Sequence, residues 1–311
     1  MTDIARLAGV SASTVSRALA GSPLVATAKR VEIHRLARER GYVINSTARN
    51  LRLQRTQALS VVMSLTDPFF MEMLGHLADA ITRRGYGMFL QKVVPPMSDW
   101  LPQLIASHKS DGIIVVDQGT GHTALEAAAA SYKPLVVWGG HLVRQSYCTV
   151  GSDNVGGALA AVDHLIRLGR RRIAFLGDPA VPEIGLRYEG YRLAHERAGR
   201  EFMAPHIVPS HLKFIGSAGN VDAVVGATDV IAMRALRAVT AAGLAVPRDV
   251  AVVGFGDIAL ASLANPPLTT VRQDLQRGAH TLVDLLFRRI EGEDTPSVTM
   301  PAELVVRESS G

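Results

Sequence analysis

Cysteine is almost missing from this chain. The single thiol, Cys148, excludes an internal disulfide framework and a multi-cysteine zinc site. Its neighbours Tyr147, Thr149 and Val150 read as a strand, so a buried, inert thiol is the stronger reading and a nucleophile the weaker. No apolar run approaches the roughly 20 residues needed to span a bilayer, and no membrane partner is expected. The N-terminus lacks an apolar segment of the secretory kind, which predicts a cytoplasmic protein. Enzyme signatures are missing too. There is no GxxxxGK[ST] phosphate loop, no GxSxG elbow, and no histidine pair at metal-ligand spacing among the ten histidines. The chain therefore reads as a non-enzyme with no cofactor and no metal. Short-period repeats and low-complexity tracts are absent. The C-terminal PAELVVRESSG carries no heptad, which leaves a homodimer as the default assembly.

Acidic residues are scarce in one place. Residues 1–57 hold ten Lys/Arg against three Asp/Glu, whereas residues 58–311 hold 23 against 25. A basic head on a near-neutral body fits a polyanion partner for the head alone, with a solvated basic surface as the alternative. The 311 residues suffice for two sizeable cores, or one core and an appendage. With 48% apolar and 20% charged residues, a disordered chain is excluded.

Three short helices fit the first 42 residues. Ile4, Leu7 and Ala8 share a face of the first, and Gly9 ends it. Ser11 can cap the second. Gly21 and Pro23 mark a loop, and the third helix runs from about Thr27 to Arg40, with Ile33, Leu36 and Ala37 inward. NSTARNLRLQRTQ (45–57) follows, polar and basic, a linker with some helical tendency for which Asn45 is the candidate cap. From residue 58 strand and helix patterns alternate. LSVVMSL (59–65), GIIVV (112–116), PLVVW (134–138), RIAFLG (172–177), DAVVGA (222–227) and VAVVGF (250–255) read as buried parallel strands. Leu74, Leu77, Ala78 and Ile81 form one helical stripe, and Leu159, Val162, Leu165 and Ile166 another. EAAAAS (126–131) is helix-prone, and GDPAVPEIG (177–185) reads as a loop that could line a pocket. The body is therefore α/β with helices on both faces.

Helix, glycine-containing turn and a second helix rich in small hydroxyls is the layout of a helix-turn-helix. In VSASTVSRAL (10–19) the apolar Val10, Val15, Ala18 and Leu19 dock the helix. Ser11, Ser13, Thr14, Ser16 and Arg17 are left to face nucleic acid. Short hydroxyls reach phosphates without holding the helix off the groove, and an arginine can read guanine in bidentate fashion. Spacing alone leaves open a small helical cap with an ordinary polar face.

DIARLAGVSASTVSRAL, then GY at 41–42 and ARNL at 48–51, resembles the lactose-repressor (LacI/GalR) family of bacterial transcription regulators. DPFF (67–70), RRGYGMFLQ (83–91), DGIIVV (111–116), GSDNVGGALAAVDHLIRLGRRRIAFLG (151–177), LRYEGYRLA (186–194), GLAVPRDVAVVGFGD (243–257) and PPLTTVRQD (266–274) follow in that family's order. The resemblance implies a small all-α helix-turn-helix head (1–44) and a hinge (45–57). It implies an α/β periplasmic-binding-protein-like body (58–311) of two doubly wound subdomains, about 58–148 with 275–311, and about 149–274. Ala12 and Ser13 fall at operator-selecting positions, Arg17 at a base-reading one, and Ser11, Thr14 and Ser16 at phosphate-contacting ones. Leu51 matches a leucine wedged into the minor groove, in a hinge that also holds Ala48 and Arg49. Arg187 matches a ligand-binding arginine. Phe69 and Phe70 could stack on a ligand or pack in the core, and Trp138, Asp257 and Gln273 are further cleft candidates. The implied partners are a near-palindromic duplex operator, a small-molecule effector of sugar or glycoside type, and a second copy of the chain. The implied function is a sequence-specific transcription regulator, a repressor by preference. The rival is a ligand-binding module of periplasmic type with weak or lost DNA binding.

Several positions depart from the family pattern. Met1 falls several residues inside the usual start, which removes a capping threonine that Thr2 would have to replace. Ala26 stands where a serine caps the third helix, leaving that task to Thr27. Gly139 and Gly140, Gly256 and Thr228 stand at polar ligand-binding positions, and the space left by the glycines suits a bulkier ligand such as a disaccharide or aryl glycoside. The stretch between Pro205 and Asp222 is about one helix short.

Overall fold

The computed structural model describes residues 1–19, 21–42, 55–93, 96–119, 121–207 and 221–311. The expected cap Asn45, the hinge residues Ala48, Arg49 and Leu51, and most of the shortened stretch before Asp222 lie outside the described residues. The chain forms two compact units, Met1–Thr56 and Gln57–Gly311.

The first unit contains α1 (Thr2–Ala8), α2 (Ala12–Leu19) and α3 (Thr27–Glu39). Ile4, Ala8, Val15, Ala18, Ile33 and Leu36 meet in one small core. Gly9, at φ 62°, ends α1 in the left-handed conformation that only glycine takes cheaply. Ser11 Oγ accepts from the Thr14 amide at 3.1 Å and so caps α2. The two substitute caps do not form. Thr2 already lies inside α1, and neither Met1 nor Ala26 offers a side-chain bond to its helix.

The second unit is built on two sheets. The first contains β1 (Ala58–Met63), β2 (Gly87–Lys92), β3 (Gly112–Val116), β4 (Leu135–Trp138), β5 (Cys148–Ser152) and β10 (Val298–Met300). Its order is β10-β5-β4-β3-β1-β2, all parallel, with Val61 facing Leu90 on one side and Ile114 on the other. Alternate residues of β1 feed opposite faces. Leu59, Val61 and Met63 pack with α4 (Pro68–Arg83) and α11 (Leu275–Ile290). Val62 packs with α5 (Leu101–Ala106) and α6 (His122–Ser131). Burial on both faces is why these strands read as unbroken apolar runs. Cys148 is buried there.

The second sheet contains β6 (Ile173–Leu176), β7 (Ala223–Gly226), β8 (Ala251–Gly256), β9 (Thr269–Arg272) and the antiparallel β11 (Glu303–Val305), in the order β11-β9-β8-β7-β6. α7 (Asn154–Arg167) and α8 (Pro182–Arg197) cover one face. α9 (Asp229–Ala241) and the short α10 (Ala259–Leu263) contribute to the other.

The expected subdomain boundaries shift at two places. Thr149–Ser152 are part of β5, where Thr149 and Val150 pair with β4 and Val150–Ser152 with β10, and so belong to the first lobe, not the second. Residues 303–310 belong to the second lobe, because β11 pairs with β9 and Ser309 Oγ donates to the Val252 carbonyl. The chain therefore crosses between lobes after Ser152, Arg272 and Met300.

Candidate DNA-binding face and ligand cleft

On α2 the apolar and polar residues separate as the sequence pattern requires. Val15, Ala18 and Leu19 are buried, whereas Ser11, Ala12, Ser13, Ser16 and Arg17 are exposed. Thr14 is half-buried, its hydroxyl 2.9 Å from that of Ser11. The Arg17 side chain makes no hydrogen bond or ion pair with the described residues, so its guanidinium is available to an external acceptor.

In the body a cavity of about 290 Å³ lies where the carboxyl ends of both sheets converge. That is where open α/β sheets place ligands, because strand ends leave backbone groups and loop side chains facing one crevice. Ser64, Thr66 and Asp67 follow β1, Asp117 follows β3, and Trp138 ends β4. From the other lobe, Thr228 and Asp229 follow β7, Ile258 follows β8 and Gln273 follows β9. Five of the six sequence-derived effector candidates meet here: Arg187, Phe69, Phe70, Trp138 and Gln273. Phe69 faces both the cavity and the core. It lines the cavity and packs 6.3 Å from the Trp138 ring centroid, and it also touches the core around Ile258.

Arg187 is 7% exposed and held on three sides. Nε donates to Asn154 Oδ1 at 2.8 Å, Nη1 donates to the Ala227 carbonyl at 2.6 Å, and the guanidinium lies 3.9 Å above the Phe255 ring. Burial lowers its pKa to about 10, opposed by the charges of Glu183, Asp229 and Asp67, so it stays cationic at neutral pH. Nη2 has no partner among the described residues and can serve a ligand.

Asp257 does not belong to this group. Its carboxylate takes Arg307 Nη2 at 2.6 Å and Arg272 Nε at 2.7 Å, which ties β9 to the C-terminal segment. The backbone at Asp257 has φ 56°, and the residue is not among those lining the cavity. The glycines also have another explanation than ligand room. A Cβ on Gly139 would stand 2.5 Å from Gln118 Oε1, and one on Gly140 would stand 2.5 Å from Leu186 Cδ1. The protein itself fills that space. Gly256 has φ 142°, and a Cβ there would come 3.1 Å from the Asp229 carboxylate. Thr228 spends its hydroxyl capping α9, accepting from the Ile231 amide at 3.3 Å.

Sequence reasoning missed the acidic lining. Asp67 caps α4 through Phe69 N at 2.9 Å. Asp117 has φ 101° and a carboxyl pKa raised by burial, lowered in part by a bond from Gly119 N and raised further by the Asp67 charge. Glu183 was hidden in a stretch read as loop. Pro182 instead opens α8, which places Glu183 in its first turn. Burial pushes its carboxyl up to about 7, with Arg187 opposing and Asp117 reinforcing. Asp229 is pushed up to about 6 by burial, although Thr270 Oγ1 and the Ile258 amide both donate to it. The available signal was position: each of these residues follows a strand or opens a helix.

Residues 1–45 match the bacterial regulatory proteins of the lacI family, and residues 162–310 match the periplasmic binding protein-like domain. The HTH-type transcriptional regulator CelR of Thermobifida fusca is 33% identical over 332 residues, covering 98% of this chain and 96% of that protein. The chain belongs to the LacI family. As a LacI-family member it is a sequence-specific DNA-binding transcription regulator, with a helix-turn-helix head and a periplasmic-binding-protein-like body. MalR of Streptomyces coelicolor is likewise 33% identical, over 336 residues, covering 100% of this chain and 96% of its own. The lac repressor dimer bound to operator and the anti-inducer ONPF superposes with a TM-score of 0.86 at 25% identity, covering 99% of this chain and 98% of that one. A CelR–cellobiose complex superposes at 0.73 with 30% identity, covering 98% of each. Among the described residues no helix is long and apolar enough to cross a membrane.

Proposed function

We propose that this LacI-family protein is a cytoplasmic, homodimeric repressor, not an enzyme, whose grip on a near-palindromic operator is set by a sugar bound in the body cleft. The observation that carries this reading is Arg187, buried and pre-aimed at a cavity that both lobes build. A fork donor fixed in this way suits sugar hydroxyls, and Phe69, Phe70 and Trp138 supply apolar faces on which a pyranose ring can rest. The cellobiose complex of a 30%-identical regulator supports a β-linked glucose oligomer as the first ligand to try.

In the head, Ala12, Ser13 and Arg17 are assigned to base edges, and Ser11, Thr14 and Ser16 to phosphates. Residues 1–44 form the reading head, 45–57 the hinge and 58–311 the effector body. In the hinge, Ala48, Arg49 and Leu51 are assigned to the minor groove. Ligand binding favours one angle between the lobes and thereby biases the hinge.

The test is a fluorescence-anisotropy titration on DNA upstream of the protein's own gene, at several salt concentrations, against scrambled duplex. Preference for one near-palindromic site, changed by cellobiose or another neutral sugar, is the expected result. Equal binding to all duplexes, indifferent to every sugar, would overturn the proposal.

A further inference from the structure

The polar lining of the cleft is unbalanced. Asp67, Asp117 and Glu183 all face it, and Arg187 is the one cation among its described lining residues. Asp229 also lines the cavity, but Thr270 and the Ile258 amide already occupy its oxygens. The other three lie near enough to act on one another: the Asp67 charge disfavours ionisation of Asp117, and the Asp117 charge disfavours ionisation of Glu183. A single guanidinium, two of whose nitrogens are committed to Asn154 and Ala227, does not neutralise three carboxyl groups.

An independent observation points the same way. Gln118 is wholly buried, and its Nε2 donates to the Tyr147 hydroxyl, which also meets His122 Nδ1 at 2.9 Å. Its Oε1 has no partner among the described residues. That oxygen and Glu183 Oε1 lie 2.5 and 3.1 Å from one point beside Gly139, where a side chain would otherwise stand. Acceptors from both lobes therefore converge behind the cavity wall at Gly139. In the cavity itself a ligand that brings hydroxyl donors suits the carboxyl groups of Asp67, Asp117 and Glu183, whereas one that brings a carboxylate or phosphate adds like charge to a confined site.

We propose that the cleft takes an uncharged, hydroxyl-rich sugar and rejects acidic sugars, and that Glu183 sets this choice. The inference rests on the sugar-effector reading and adds the charge class of the ligand. Glu183 holds this role by position. It reaches from the first turn of α8 to the first lobe at Gly139, so a closing ligand meets it from either side.

The experiment is calorimetric titration of the full-length protein with matched pairs: cellobiose against cellobionate, and glucose against gluconate and glucose 6-phosphate. The wild-type protein is expected to bind the neutral member of a pair about a hundredfold more tightly than the acidic one. Glu183→Gln keeps the shape and removes the charge, and it should narrow that ratio at least about tenfold, mainly by admitting the acid. Asp117→Asn, which tolerates the left-handed backbone, should narrow it in the same direction. Glu189→Gln, exposed on α8 outside the cavity, should leave it unchanged. Equal binding of both members by the wild type, or an unaltered ratio in both cleft variants, overturns the charge assignment while leaving the sugar reading intact. Failure of every sugar to bind removes the sugar reading, and this inference with it.

Discussion

Arg187 on α8 donates through Nε to Asn154, the first residue of α7, at 2.8 Å, and both side chains are buried. The bond crosses the most tightly packed helix pair of the second lobe, so the arginine's direction is set by the fold rather than by a ligand. Arg187→Ala is expected to abolish the sugar-induced thermal shift, a loss of at least about 3 kcal/mol of binding, or a hundredfold in affinity. Asn154→Ala should weaken binding less, because the Ala227 carbonyl and the Phe255 ring still hold the guanidinium. A sugar-induced shift that survives Arg187→Ala would move the ligand site elsewhere.

Arg17 projects from an α2 whose opposite face is fully buried, and it has no partner of its own among the described residues. Arg17→Ala should therefore leave the head folded. It should cost about 1–3 kcal/mol on the preferred operator and little on scrambled duplex, flattening the difference between them. Anisotropy on operator variants measures this, and unchanged discrimination would exclude Arg17 from base reading.

Ala26 precedes α3 with φ −53° and ψ 139°, the extended geometry of a helix cap, but has no side-chain acceptor to give. Ala26→Ser should stabilise the head by about 0.5–1 kcal/mol, whereas Ser11→Ala, which removes a formed cap, should cost about 1 kcal/mol. Urea melts of the full chain followed by head-specific amide exchange separate the two. A neutral Ala26→Ser would mean that solvent already satisfies those amides.

Asp257 holds two arginines, one of them four-fifths buried at its side chain. Asp257→Ala should lower the melting temperature of the body, by about 1–2 kcal/mol of stability after allowing for the exposure of Arg272. It should leave sugar affinity within about twofold, since the carboxylate lies outside the cavity. A large loss of affinity with unchanged stability would return Asp257 to the ligand site.

These outcomes trace what a one-dimensional pattern can carry. The strands were legible because burial on both faces leaves unbroken β-branched runs, and α2 was legible because its two faces differ in kind. Arg187 was legible only through the family motif LRYEGYRLA. Asp257 came by the same route, but a motif fixes a position and not a side chain's partners, and its carboxylate pairs with Arg272 and Arg307. Glu183 stayed hidden because Pro, Asp and Gly around it signal a loop, while Pro182 at the first turn of a helix is equally in keeping with that composition. The occupied space at Gly139 and Gly140 comes from Gln118, 21 positions from Gly139, and from Glu183 and Leu186 of the other lobe, which no local pattern records.

Glu183 also makes the body sensitive to pH. Its folded pKa of about 7 stands above the ordinary carboxyl value of 4.5, chiefly through burial. A raised carboxyl pKa means that the folded state binds its proton more tightly than the unfolded state does. The associated stability is present in full below pH 4.5 and is lost as the pH rises through about 7. Asp229, raised to about 6, acts in the same direction, while His164 and His195, both lowered by burial, act in the opposite one. The wild-type profile is thus a sum of opposed terms, and the difference between wild type and Glu183→Gln isolates one of them. The variant should match the wild type near pH 4 and exceed it at pH 8 by roughly 1–3 kcal/mol, measured by urea denaturation at both values. A difference that does not change with pH would show that Glu183 stays ionised in the folded cleft. The acidic edge at Gly139 would then carry a full charge even without a ligand.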